Sequence, residues 1–152
     1  MCGISGGYNY LNKEINLKST IAKIVKIQHN RGPDDSDIWE SKNKQICFGH
    51  NRLSIIDLTK NASQPFVSSD GNLTITFNGE IYNFKEIKKE LIDKKIIFKS
   101  NSDTEVIIES YKYWGLDFIK KLRGMFAFVI WDSFKKKLIL ARDPFGIKPL
   151  YY

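Results

Sequence analysis

At 152 residues, 42% of them hydrophobic, the chain suffices for one compact domain and is too short for a tandem of large ones; a domain of this size buries roughly 70 per cent of its unfolded surface. No apolar run reaches the ~20 residues of a membrane helix, and the N-terminus has neither the basic nor the apolar stretch of a secretory leader, so a cytoplasmic protein with no membrane partner is expected. The net charge of +7 rests on 24 Lys and Arg against 17 Asp and Glu, but 20 of the 24 are lysines spread as solvated faces. The guanidinium groups that read phosphates and base edges are scarce, so no nucleic-acid partner is expected.

In chain order, Gly3 to Tyr10 reads as a strand, and Asn16 can cap a helix from Leu17 to about Gln28, with Leu17, Ile21, Ile24 and Val25 at helical spacing. Strands follow at Ser36 to Glu40 and Ile46 to Ile56. Phe66 to Ser68 and Leu73 to Asn78 form a further pair, joined by a tight turn at Asp70-Gly71. A second helix starts after Asn83 with Phe84, Ile87 and Leu91 on one face. Lys95 to Phe98 reads as a strand. Ser102 and Glu105 form a capping box ahead of a helix from Thr104 to about Trp114, and Leu116 to Leu122 suits a short fourth. Met125 to Asp132 and Lys137 to Arg142 are the last strands; Met125 to Ile130 is apolar throughout, so both its faces are expected to be covered. The expected class is α+β, sheet packed on sheet with helices outside.

Cys2 and Cys47 are too few for a disulfide framework and lack the spacing of a zinc site, so no metal is expected. Cys2 follows Met1 and is small, the kind of second residue from which methionine is ordinarily trimmed, which would leave one residue carrying both a thiol and an α-amine. Near pH 7.5 roughly a quarter of α-amines are neutral, far more than of lysine side chains, so the terminus suits the role of general base. An N-terminal nucleophile served by its own amine is a known solution to acyl transfer. Gly3, Gly6 and Gly7 leave the backbone near the thiol open. Asn78-Gly79 ends a strand with a side-chain amide and an unshielded N–H, the parts of an oxyanion hole; a simple turn is the competing reading.

Cys2-Gly3-Ile4, RGPD at 31–34, NRLSIID at 51–57, NGEIYN at 78–83, SDTEVI at 102–107, GMFAF at 124–128 and RDPFGIKPLYY at 142–152 occur in this order. Together they resemble the glutaminase domain of glutamine-hydrolysing asparagine synthetases, which are class II glutamine amidotransferases and N-terminal-nucleophile hydrolases. The resemblance spans essentially the whole chain and implies a four-layer αββα sandwich. It implies that Cys2 attacks the glutamine carboxamide with its α-amine moving the proton, and that Asn78 and Gly79 hold the oxyanion. Arg52 would meet the α-carboxylate of glutamine, while Glu80 and Asp103 accept its α-ammonium. Glu80 within NGEIYN favours the asparagine-synthetase branch over the phosphoribosyl-pyrophosphate and hexosamine-forming branches. The family continues past PLYY with further strands and a synthetase domain, so the domain is expected to be C-terminally incomplete relative to the family. ATP and magnesium would belong to that domain or to a separate synthetase chain, the ammonia acceptor, with no cofactor in residues 1–152.

Other readings stand beside these. Asp103 complements a helix dipole in any case, and Arg52 could be an ion-pair partner. His29 and His50 read as structural histidines, Cys47 as an inert buried thiol, and RGPD as either an active-site rim or a turn. Asn30 stands where the family usually has histidine. A glutamine-binding module that turns over poorly, another class II branch, and lysine-driven nucleic-acid binding are the rival functions.

Overall fold

The computed structural model describes residues 1–11 and 13–152. The elements are β1 (Gly3–Tyr8), α1 (Leu17–Ile27), β2 (Asp35–Glu40), β3 (Ile46–Arg52), β4 (Phe66–Val67), β5 (Leu73–Ile81), α2 (Phe84–Asp93), α3 (Asp103–Trp114), β6 (Gly124–Asp132) and β7 (Lys137–Arg142). One antiparallel sheet has the order β1-β3-β2, the other β4-β5-β6-β7.

The alternation of side chains along each strand builds four layers, since successive residues point to opposite faces. On β3, Cys47 joins Ile21 and Val25 of α1 in one buried cluster, while Ile46 and Phe48 pack on Trp131 of the opposite sheet. On β5, Leu73, Ile75 and Phe77 pack with Val106, Ile107 and Tyr111 of α3 and with Ile87 and Leu91 of α2. The other face of β5 carries Thr74, Thr76 and Asn78, all buried. Thr76 donates to the Gly49 carbonyl at 3.3 Å, and His50 Nε2 meets the Phe77 carbonyl at 3.2 Å, tying the sheets together. The order is therefore α1, first sheet, second sheet, α2 with α3, an αββα sandwich.

Several expected elements form within a residue or two of their expected ends. Asn16 caps α1 by accepting from Ser19 N at 2.9 Å. Gly71, at φ 73°, makes the turn between β4 and β5. The both-faces prediction for β6 also holds: Phe126, Phe128 and Ile130 join the α2/α3 core, and Val129 and Trp131 face the first sheet.

Five expectations are corrected. β1 stops at Tyr8, and β3 ends at Arg52 rather than Ile56, because the chain turns off where Asp34 Oδ2 takes the Ser54 N–H at 2.7 Å. β5 does not end at Asn78. It stays paired with β6 through Gly79↔Phe126 to Ile81↔Gly124, and a side chain at Gly79 would collide with the Met125 carbonyl. Lys95 to Phe98 is not a strand: Lys95 and Ile96 donate back to Ile92 and Leu91 of α2, and Ile96 and Phe98 pack on the core as loop residues. The segment from Leu116 is part of a 3-10 helix, Gly115–Lys121.

The capping box is half formed. Ser102 accepts from Thr104 N at 3.1 Å, but the Glu105 carboxylate takes Lys99 N, Ser100 N and Ser100 Oγ instead of its own cap. It folds the preceding loop under the helix.

Helix α1 sits directly on Gly49, where an added Cβ would lie 2.5 Å from Val25 Cγ2 and 2.7 Å from Ile21 Cγ2. Gly49→Ala should therefore cost about 1 to 3 kcal/mol in urea unfolding through overpacking. A change under about 0.5 kcal/mol would contradict this seating of the helix.

Candidate active site

Cys2 immediately precedes β1, and the Gly3↔Asn51 register sets it beside Leu53, the first residue beyond β3. The Leu53 N–H donates to Cys2 Sγ at 3.4 Å, and Arg31 Nε donates to the Cys2 carbonyl at 3.3 Å. The rest of RGPD braces the same place. Gly32 lies so close to the Asn51 and Arg52 backbone that a Cβ could not fit, Pro33 bridges to Arg52, and Asp34 N donates to the Arg52 carbonyl at 3.0 Å. The loop thus holds the residue that carries the thiol.

A cleft of about 100 Å³ brings together Cys2, Arg52, Asn78, Gly79, Glu80 and Asp103, all six residues singled out in the sequence. They arrive from β3, β5, the start of α3 and the residue before β1. Asn78 lies on the inter-sheet face of β5, 5% exposed, and its amide has no protein partner among the described residues. Arg52 donates through Nη1 to the Thr59 carbonyl at 3.1 Å and through Nη2 to the Asp57 carbonyl. It is anchored by backbone oxygens and pairs with no carboxylate among the described residues, which leaves its positive charge uncancelled.

Asp103 is the first residue of α3, 5% exposed, and Ile81 N donates to its Oδ2 at 3.1 Å. Burial pushes its carboxyl up to about 6, Glu80 adds to the rise, and the amides of Ile81, Thr104 and Asp103 itself oppose it. A desolvated carboxyl beside a second carboxylate gains strongly from any cation brought to it. The cleft therefore offers a thiol and an amide at one end, a guanidinium, and a pair of acidic groups.

Two cleft residues, Gln64 and Lys148, escaped the sequence reading. Gln64 spans the cleft wall, accepting from Phe77 N at 2.7 Å and donating to Thr104 Oγ1 at 3.2 Å. His50 is fully buried, and burial lowers it to about 4, so it is neutral. With Nε2–H given to Phe77, its Nδ1 is left without a partner. Lys148, 4% exposed, enters the cleft from the loop after β7. His29 lies in a 3-10 turn after α1. Cys47 is fully buried, and burial with nearby Glu40 pushes its thiol up to about 11.

Cys2 and Asn78 also line a second cavity, of about 510 Å³, along the free edge of β1, walled by Ile4, Phe48, Val129, Leu138 and Leu140. The sulfur thus stands between a polar cleft and an apolar groove. Among the described residues no cluster of His, Cys, Asp and Glu suits a metal ion, and no helix is long and apolar enough to cross a membrane.

The family of glutamine amidotransferase domains matches residues 1–152. Among curated proteins, an asparagine synthetase [glutamine-hydrolyzing] 1 of Bacillus subtilis is 42% identical over 100% of this chain and 24% of its own length. Its paralogue 3 is 37% identical over 100% of this chain and 25% of its own. A protein named amidase chry2 of Gibberella zeae is 48% identical over 81% of this chain and 18% of its own length. The chain thus spans a quarter or less of the length of these relatives. Among solved structures, the glutamine phosphoribosylpyrophosphate amidotransferase of B. subtilis covers 97% of this chain and 38% of its own, with TM-score 0.72 and 23% identity, and so shows the fold.

Asp103 generates a prediction with a definite sign. Between its unfolded value near 3.8 and its folded value near 6 the native state keeps a proton that the unfolded state releases. Stability should therefore fall as pH rises through that window and level off above it, a loss of up to about 3 kcal/mol. Asp103→Asn should flatten this part of the urea-stability profile and be the more stable protein at pH 7. An unchanged slope between pH 4 and 6 would contradict the assignment.

Proposed function

This chain belongs to the glutamine amidotransferase domain family, and from that premise we propose that residues 1–152 form a glutaminase unit releasing ammonia for asparagine formation from aspartate. The acceptor is an asparagine synthetase domain or chain, which carries the ATP and magnesium chemistry; the unit itself uses no cofactor and works in the cytoplasm. One observation carries the reading: one cleft gathers a thiol, an amide donor, a guanidinium and two acidic groups, a set that complements free glutamine at every polar end. The likeness of all of this chain to about a quarter of the length of glutamine-hydrolysing synthetases supports this acceptor.

Removal of Met1 exposes the α-amine of Cys2. That amine takes the thiol proton as Sγ bonds to the carboxamide carbon, and the C=O electron pair moves onto oxygen. The Asn78 amide and the Gly79 N–H hold the oxyanion, whose full charge exists only in the intermediate. The amine then returns the proton to nitrogen, the C–N bond breaks, and ammonia leaves a γ-glutamyl thioester. Water adds to the thioester carbon by the same route, and breaking the S–C bond frees glutamate. Arg52 pairs with the α-carboxylate, for which the guanidinium fork is suited, and Asp103 with Glu80 receives the α-ammonium.

The roles separate kinetically. Arg52→Ala should chiefly raise KM for glutamine, because the α-carboxylate does not react and its contact is equal in ground and transition states. Asn78→Ala should lower kcat by on the order of a hundredfold with little change in KM. Steady-state glutamate release on folded variants checks both; an Asn78→Ala effect confined to KM would overturn the oxyanion role. A form that keeps Met1, verified by intact mass, should be nearly inactive, and full turnover by it would exclude the α-amine as base.

A further inference from the structure

Lys148 is a buried ammonium that the mechanism above does not use. The turn after β7 is built to deliver it: the buried Asp143 carboxylate accepts Phe126 N at 3.2 Å, Phe145 N at 3.1 Å, Ile147 N at 2.9 Å and Lys148 N at 3.0 Å. Burial alone would raise the Asp143 carboxyl, but these amides hold it below its usual range. Gly146, at φ 64°, closes the turn. Lys148 itself is 4% exposed and has no carboxylate within ion-pair distance among the described residues. An unpaired buried ammonium is costly, so stability does not account for it.

Its Nζ lies 2.6 Å from Met1 Sδ. The covalent path from the Cys2 nitrogen to that sulfur spans at most about 6.5 Å when fully extended. Lys148 Nζ is therefore within about 9 Å of the nitrogen that becomes the terminal amine once Met1 is removed. Like charges at that separation, in a medium of effective dielectric constant about 20, repel enough to move a titration by roughly one pH unit.

We propose that Lys148 is a positioning charge for the glutaminase reaction, disfavouring the ammonium form of the Cys2 α-amine so that the amine is free to act as base at neutral pH. This inference rests on the glutaminase reading of the cleft. The other charged groups lining the cleft are Arg52, Asp57, Glu80 and Asp103, with Arg31 at the Cys2 carbonyl. Arg52 and Arg31 add to the effect. Glu80 and Asp103 oppose it in the free protein; in the complex the substrate's α-ammonium offsets one of these charges and its α-carboxylate offsets Arg52, and Asp57 is turned to Thr59 and Asn101.

The test compares wild type, Lys148→Met and Lys148→Arg, each shown by mass to begin at Cys2. The ¹⁵N resonance of the Cys2 α-amine is titrated, and kcat for glutamate release is followed against pH. Removing the positive charge favours the ammonium form, so in Lys148→Met the titration midpoint and the acid limb of kcat should both move up by about one pH unit. Turnover should then fall several-fold or more near pH 6.5 and recover above about pH 8.5, while Lys148→Arg should keep the wild-type midpoint. Coincident midpoints for wild type and Lys148→Met, or an equal loss of kcat at every pH, would overturn the proposal. Should the methionine variant misfold, Lys148→Gln serves in the same titration. Absence of glutamate release from wild type would refute the glutaminase reading alone, since the resonance titration decides the role of Lys148 without turnover.

Discussion

Cys2 and Asn78 hang from different sheets, so the geometry of the cleft depends on how those sheets are held face to face. Two polar ties fix that relation, His50 Nε2 to the Phe77 carbonyl and Thr76 to the Gly49 carbonyl, both buried between the layers. Phe77 and Thr76 directly precede Asn78, and His50 and Gly49 lie three and four residues before Leu53, whose N–H meets the Cys2 sulfur. A hydrogen bond in a dry interior is stiff and costly to break, so these ties pass the register of one sheet to the other. The neutral state of His50 follows from the same burial, since a charged ring there would have to be desolvated.

Around that frame the cleft keeps unlike charges apart. Arg52 is held by backbone carbonyls, Asp103 by backbone amides, and Lys148 by a turn organised on Asp143. None of the three forms an ion pair with another side chain among the described residues. Mutual pairing would have relieved their desolvation but would also have cancelled the fields that a zwitterionic amino acid can use. The raised carboxyl of Asp103 is the visible cost of keeping them separate. Such a site trades stability for readiness to bind.

The layering was legible because helical and strand periods are written locally. Asn16 with its apolar spacing marked α1, and the unbroken apolar run of β6 marked a strand covered on both faces. Where tertiary contacts override local pattern the reading failed. Lys95 to Phe98 looked like a strand, but the amides of Lys95 and Ile96 are spent on α2, and Lys99 N just beyond is taken by Glu105. Asn78-Gly79 looked like a strand end, yet glycine is there because β6 passes too close for a side chain. The six site residues were named from motifs, which carry chain position and chemistry but not distance. Lys148 stayed hidden as one lysine among 20, and Gln64 as a polar residue in a loop, since only the fold turns either toward the cleft.

The account centres on a covalent bond between Cys2 and the glutamyl group. Acid quenching of the protein during glutamine turnover, followed by peptide mass mapping, tests it directly. A single γ-glutamyl adduct on the Cys2 peptide, absent from Cys2→Ser and discharged on continued incubation, is the predicted result. Glutamate release with no adduct on Cys2, or an adduct on Cys47 instead, would contradict it.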